Sequence, residues 1–265
     1  MNVPTADFGQ DLLVEFRADH TARVILNRPH ARNAINVALT EALARAVEAI
    51  ENDSAIRVAI LASSGDRAFC AGADIVDIAN GRGKLLSTAA GGFAGFVTAR
   101  RNKPWIAAVN GFALGGGCEL ALACDMIVAA EDASFGLPEV KRGLFAGAGG
   151  VYKMARAIPR NVAIELITTG SSMGAARAQA LGLVNQVVPT GKLQEATLDL
   201  ARAIAANAPI AVRESLKMAR CALDYSEDEL RIRSDAGSDI VFSSADAREG
   251  ASAFLEKRAP RWSGV

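Results

Sequence analysis

Residues 104–124 read PWIAAVNGFALGGGCELALAC. The first part, WIAAVNG, is strand-like and ends in a glycine-rich turn. From Gly115 to Cys124 the run continues as an apolar helix. A strand that is apolar on both sides must be covered on both faces, and a buried strand feeding a buried helix is the unit of an α/β architecture. One residue breaks the apolar pattern. Glu119 stands in the first turn of the helix, where a carboxylate is costly unless it is paired or functional.

The same rhythm recurs along the chain. LLVEFR (Leu12 to Arg17) and TARVILN (Thr21 to Asn27) read as strands joined by a polar turn at Ala18 to His20. Pro29 stops the second strand. A helix then follows an Asn36 N-cap, with Leu39, Leu43, Val47 and Ile50 on one face. RVAILAS (Arg57 to Ser63), DMIVAA (Asp125 to Ala130) and LVNQVV (Leu183 to Val188) are further strands. From about Leu193 the strand signals stop, and ATLDLARAIAANA and VRESLKMARCAL are helical on either side of Pro209. The chain is therefore expected to divide into a core, residues 1–200, and a helical region, residues 201–265. A tail of that size is marginal alone, so it must pack on the core or on a neighbouring subunit.

Composition removes several classes of function. Among 265 residues, Lys+Arg and Asp+Glu are both 29, so no global basic field gathers nucleic acid or an anionic membrane. Cys70, Cys118, Cys124 and Cys221 form no C-x-x-C pair, and His20 and His30 are the only histidines, so no metal site is expected. The opening MNVPTADFGQ lacks the basic and apolar regions of a signal peptide. The longest uncharged apolar stretch, Pro104 to Cys118, is too short to span a bilayer. A cytoplasmic protein is the expectation.

Familiar phosphate and triad motifs fail. Lys84 follows Gly83 but precedes Leu85, so there is no P-loop; Tyr152 takes the third glycine position of a dinucleotide fingerprint; no G-x-S-x-G accompanies either histidine, and each histidine is expected at a turn or surface. Carboxylates and backbone dipoles must then carry any chemistry. Three segments offer them. Phe69–Asp74 (FCAGAD) is a small-residue bend whose amides a ligand can approach. Asn110–Glu119 runs a strand into three glycines at a helix N-terminus, a place for an oxyanion. Ser134–Glu139 (SFGLPE) brings a second carboxylate, Glu139, 139 − 119 = 20 residues after the first.

Taken in order, these segments resemble the crotonase superfamily, the enoyl-CoA hydratase/isomerase family. The match includes LNRP (Leu26 to Pro29), FCAGAD, KPWIAAVNGFALGGGCELALACD (Lys103 to Asp125), FGLPEVKRGL (Phe135 to Leu144), GAGG (Gly147 to Gly150), GLVNQVV and the terminal REGASAFLEKR. The resemblance implies a spiral of repeated strand-strand-helix units with a C-terminal helical trimerisation region. It implies a homotrimer or a hexamer built as a dimer of trimers. It implies an acyl-CoA thioester as substrate, with coenzyme A as part of that substrate and no separate cofactor.

By motif position, the N–H groups of Ala73 and Gly116 would form the oxyanion hole. Losing one such donor costs about 2.7–4 kcal/mol of transition-state stabilisation. Glu119 and Glu139 match the acid and base of hydratases, holding one water between them. Ala71, Ala73, Asp74, Ile75 and Gly116 would line the coenzyme A thioester, and Phe254 and Lys257 match positions that reach the coenzyme A of a neighbouring subunit. The lysine that commonly follows the AGAD segment is replaced by Val76, leaving Arg82 or Lys84 for the CoA phosphates. The Gly92–Gly95 segment and the Leu144–Ala146 turn also depart from short-chain hydratases, in regions that shape the acyl pocket.

The leading expectation is hydration of a 2-enoyl-CoA. A carnitinyl-CoA dehydratase, brought to mind by the GGFAGF segment, would use the same glutamates. A double-bond isomerase often needs only the Glu139-type acid, so a retained Glu119 argues against it. One relative binds AU-rich RNA, but this chain has zero net charge and no Lys/Arg stripe.

Overall fold

The computed structural model describes residues 8–265. Strands β1 (Leu12–Phe16) and β2 (Thr21–Leu26) form a hairpin, and His20 turns it at φ 63°. Helix α1 (Val37–Asn52) opens on Asn36, whose side chain accepts the Leu39 N–H at 2.8 Å. Its Leu39, Leu43, Val47 and Ile50 are all buried.

A repeating unit then follows. Each turn of the chain lays down a longer strand, a three-residue strand and a helix. The first is β3 (Val58–Ser63), β4 (Ala68–Cys70) and α2 (Ile75–Ala79). A small hairpin, β5 (Ser87–Thr88) and β6 (Gly92–Phe93), separates it from the second unit, β7 (Trp105–Val109), β8 (Phe112–Leu114) and α3 (Gly116–Ala123). The third is β9 (Met126–Ala130), β10 (Ser134–Gly136) and a 3-10 turn over Pro138–Arg142. Then come α4 (Gly150–Ala157), α5 (Arg160–Thr169), β11 (Ser172–Gly174), α6 (Ala175–Ala180) and β12 (Gln186–Val188). Four helices finish the chain: α7 (Leu193–Ala205), α8 (Pro209–Cys221), α9 (Glu227–Ser243) and α10 (Ala245–Leu255).

The longer strands collect in one sheet, β1-β2-β3-β7-β9-β12, parallel from β2 onward. The short ones collect in a second, β11-β10-β8-β4. This is the strand-strand-helix spiral that the sequence implies.

Alternate side chains of the large sheet point to opposite faces. Trp105, Ala107 and Val109 join the main core under α1; Ile106 and Ala108 join a second core with Val58, Ile60 and Val128. Helix α7 closes that second face through Leu193, Ala201 and Ala205. The division expected at residue 200 therefore falls inside a helix packed on the sheet. Beyond α7, Arg220 of α8 clasps Asp125, just before β9, through Nε at 2.7 Å and Nη2 at 2.8 Å. Among the described residues, no helix is long and apolar enough to cross a membrane.

Candidate active site

The small sheet positions the site. Its strands β4, β8 and β10 run parallel, and each ends in one of the three segments singled out above. Beyond β4 the FCAGAD bend runs from Cys70 into Asp74. Ile35 and Ala73 form a parallel bridge in which the Ile35 N–H donates to the Gly72 carbonyl at 2.8 Å and the Asp74 N–H donates to the Ile35 carbonyl at 2.9 Å. Those bonds use the amides flanking Ala73 and leave its own N–H out of the bridge. Beyond β8, Gly115 (φ 57°) turns the chain into α3, so Gly116 is the first helical residue and its N–H has no acceptor within the helix.

The two bends touch. A methyl group on Gly72 (φ 98°) would lie 3.2 Å from the Gly116 nitrogen. Gly117 is held tighter still, since a methyl there would lie 2.0 Å from the Cys70 carbonyl oxygen. Glycine is what allows the helix to start against the FCAGAD bend. The backbone contact between Gly72 and Gly116 thereby sets the bend that carries Ala73 against the start of α3.

Glu139 arrives from the third segment. The Gly115 N–H donates to the Gly136 carbonyl at 2.9 Å, extending the β8–β10 pairing into the turns beyond. Glu139 sits in the following 3-10 turn, with its Oε1 3.1 Å from where a Gly115 side chain would begin. Its Oε2 is buried and has no hydrogen-bond partner. Glu119, one turn into α3, is 4% exposed; its Oε1 accepts the Gly150 N–H at 2.9 Å. Both carboxyls lie above the usual carboxylate range. Burial is the leading cause for each, and at Glu119 repulsion from Glu139 adds to it against the opposing pull of the Gly150 and Ala148 amides and Lys153. Both carboxyls therefore hold their protons more tightly than a free glutamate does.

Other sequence candidates take different places. Ala71 and Ala73 are half-buried in the bend, whereas Ile75 is 70% exposed on α2. Asp74 caps α2 by accepting the Val76 N–H at 3.0 Å and pairs with Arg28 at 2.9 Å. Burial would raise its carboxyl, but Arg28 and the Val76 amide outweigh this and hold it low. Its side chain is thus occupied in fixing the bend. Arg82 is held by Asp77, while Lys84 is exposed. Phe254 is 84% exposed on α10 and Lys257 follows it at φ 53°; neither joins the glutamates within this chain. His20 and His30 both lie at turns.

Two participants escaped the sequence reading, Gly150 and Lys153, and a third, Phe93, was marked only as part of the Gly92–Gly95 segment. Gly150 donates to Glu119, and only the GAGG motif hinted at it. Lys153, three residues on, is drawn down to about 8 by burial and by the nearby Arg101. Phe93 presses its ring on Gly116, with Cε1 2.5 Å from where a side chain there would begin. Cys70 is pushed up to about 12 and Cys118 higher still, both by burial, so these thiols pack rather than react.

Comparison with known proteins bears on the chain as a whole. The pattern described as enoyl-CoA hydratase/isomerase matches residues 17–265. A carnitinyl-CoA dehydratase from Proteus mirabilis is 39% identical over 246 residues, covering 91% of this chain and 94% of the relative. A 2,3-dehydroadipyl-CoA hydratase from Escherichia coli is 38% identical over 260 residues, covering 95% and 98%. The crystal structure of an enoyl-CoA hydratase from Mycobacterium tuberculosis H37Rv superposes with a TM-score of 0.93 at 43% identity, covering 97% of this chain and all of that one. With nearly the whole chain matched in sequence and in fold, the protein belongs to the enoyl-CoA hydratase/isomerase family.

Proposed function

We propose that this protein is an enoyl-CoA hydratase, adding water reversibly across the 2,3 double bond of a 2-enoyl-CoA thioester. The observation that supports this reading is the Glu139 carboxyl set against the Gly115 turn, with a buried oxygen open to a further partner, and close enough to the buried Glu119 to disfavour its charge. Hydration needs an acid and a base together, and the pair offers both.

The thioester oxygen would take the N–H groups of Ala73 and Gly116. As water attacks the β-carbon, one glutamate removes a proton from it, and the thioester becomes an enolate whose oxygen charge those amides stabilise. The enolate then takes a proton at the α-carbon from the other, protonated glutamate, and the proton taken from water replaces it on the glutamate pair. Water's OH ends on the β-carbon and a proton on the α-carbon. Coenzyme A belongs to the substrate, so the scheme uses no separate cofactor. Phe254 and Lys257, exposed on the helical tail, fit a role toward the coenzyme A of a neighbouring subunit in a trimer or a hexamer.

The relatives favour one second reading. Besides the Proteus enzyme, the crystal structure of a carnitinyl-CoA hydratase from Mycobacterium avium is 43% identical with a TM-score of 0.75. Dehydration of carnitinyl-CoA would run through the same glutamates and amides. The test is a substrate panel followed by the loss of the enoyl-thioester absorbance. Fast hydration of crotonyl-CoA that disappears in Glu119→Gln and in Glu139→Gln is expected. Folded wild type that leaves crotonyl-CoA untouched would end the hydratase reading, and faster turnover of carnitinyl-CoA would install the second.

A further inference from the structure

Phe93 stands where the two amide-bearing bends meet. A methyl on Gly116 would lie 2.5 Å from its Cε1, 2.6 Å from its Cζ and 3.4 Å from the Gly72 Cα. One side of the ring therefore rests on Gly116, and the same point is shared by the FCAGAD bend. The ring is half-buried, whereas Ala94, Phe96 and Val97 beside it are fully or nearly fully buried. The ring thus packs on the edge of the main core and keeps part of its surface open beside Gly116.

The segment that carries the ring is rigid. Gly91 and Gly95 are in backbone contact, since a methyl on Gly91 would lie 2.1 Å from the Gly95 carbonyl oxygen. Gly95 (φ 64°) in turn packs on α1, with Ala44 Cβ 2.7 Å from where its own side chain would begin. The Ala94 N–H donates to the Leu86 carbonyl at 2.8 Å and the Thr98 N–H to the Gly91 carbonyl at 3.0 Å, closing the segment on both sides of Phe93. Three residues on, Phe96 is wholly buried edge-to-face against Trp105, 5.0 Å between centroids. A ring mounted this way holds its place when an acyl chain presses on it.

We infer that Phe93 is the specificity-determining wall of the acyl pocket, and that it restricts the enzyme to short acyl groups. The inference rests on the acyl-CoA reading above. A thioester oxygen held by Ala73 and Gly116 fixes the first acyl carbons beside this ring. The ring fills the space next to those amides, so a chain that extends past its first carbons towards this side meets the ring. Removing the ring opens that space to a longer chain. In an apolar pocket, changes of this size discriminate by roughly 10–200-fold.

The test measures binding of the unreactive thioesters butyryl-CoA and decanoyl-CoA by calorimetry, beside hydration of crotonyl-CoA and 2-decenoyl-CoA. Wild type, Phe93→Ala and Phe93→Leu are compared. Wild type is expected to prefer the short ligand, Phe93→Ala to erode that preference at least roughly tenfold, and Phe93→Leu to fall between. Equal weakening of both ligands, an unchanged ratio, or a wild-type preference for decanoyl-CoA would overturn the inference. If Phe93→Ala does not fold, the Phe93→Leu ratio decides. Wild type that binds both thioesters but hydrates neither enoyl-CoA would sink the hydratase reading alone, leaving Phe93 to be judged on the binding ratio. Failure to bind either thioester would sink both.

Discussion

The Gly150 N–H donates to Glu119 Oε1 at 2.9 Å, joining the first residue of α4 to the first turn of α3. The contact is close: a methyl on Gly150 would lie 2.9 Å from the Glu119 Cγ and 2.8 Å from a Leu137 methyl. Glycine there lets a peptide amide hold a carboxylate that its surroundings otherwise disfavour.

Glu119→Gln keeps an acceptor for that amide and removes the charge. Loss of an acid–base group typically costs 10²–10⁴-fold, and hydration is expected to fall by roughly that factor. Stability moves the other way. The Glu119 carboxyl is raised in the folded state, so its contribution is fully favourable below the unfolded value and is lost as pH rises through the folded one. Thermal melts at neutral pH are expected to place Glu119→Gln at or above wild type, with the difference fading below about pH 4. A variant that melts well below wild type at neutral pH would contradict the direction of the shift.

The pH profile of turnover carries the same signature. With both carboxyls raised, chiefly by burial, the acid limb is expected above the ordinary carboxylate range. Lys153 opposes the rise at Glu119. Its replacement by Met should move the acid limb further up. An unmoved limb would show that Lys153 does not act on Glu119.

Gly117→Ala places a methyl 2.0 Å from the Cys70 carbonyl oxygen. Backbone must shift on one side or the other, at a cost of at least about 2 kcal/mol, in the range of overpacked cores. The expected result is a lower melting temperature and a loss of turnover out of proportion to it. Activity retained at the wild-type level would mean that the two bends tolerate displacement.

Arg220→Ala removes the clasp that joins α8 to Asp125. Asp125 also accepts the Trp105 N–H at 2.8 Å, so it keeps one partner when the guanidinium goes. The pair is well shielded on the Asp125 side and more open on the Arg220 side, and a loss of about 2 kcal/mol is expected from chemical denaturation. No change in midpoint would mean that α8 is held by its apolar face alone.

The parts legible in the sequence were those with a period or a cap. Asn36 and the buried face of α1 are local signals, and β1, β2, β3, β7 and β9 are long enough to show apolar runs. The second sheet was not legible as a sheet. Three-residue strands such as β4 and β10 carry no periodicity, and only their neighbours define them. Asp74 was read as a ligand contact, whereas its side chain is spent on Arg28, 46 residues away in sequence, and on the Val76 amide. Glu119 stands out because charge is rare in such apolar company, whereas Glu139, close to Lys141 and Arg142, gains meaning only beside the other two segments. The Gly150 donor and the Phe93 ring do not stand out, since both act through distant backbone that no local pattern encodes.

The pairing of β8 with β10 runs Phe112 to Ser134, Ala113 to Phe135 and Leu114 to Gly136, and ends where Gly115 meets Gly136. Glu119 lies 119 − 114 = 5 residues beyond the end of β8 and Glu139 lies 139 − 136 = 3 residues beyond the end of β10, so the ladder sets the spacing between them. Slipping it by one residue displaces one carboxylate about 3.3 Å and sends the following side chains to the opposite face. Between 112 and 139, descendants of this protein can therefore exchange many side chains, but a single inserted or deleted residue within the paired strands separates the two glutamates.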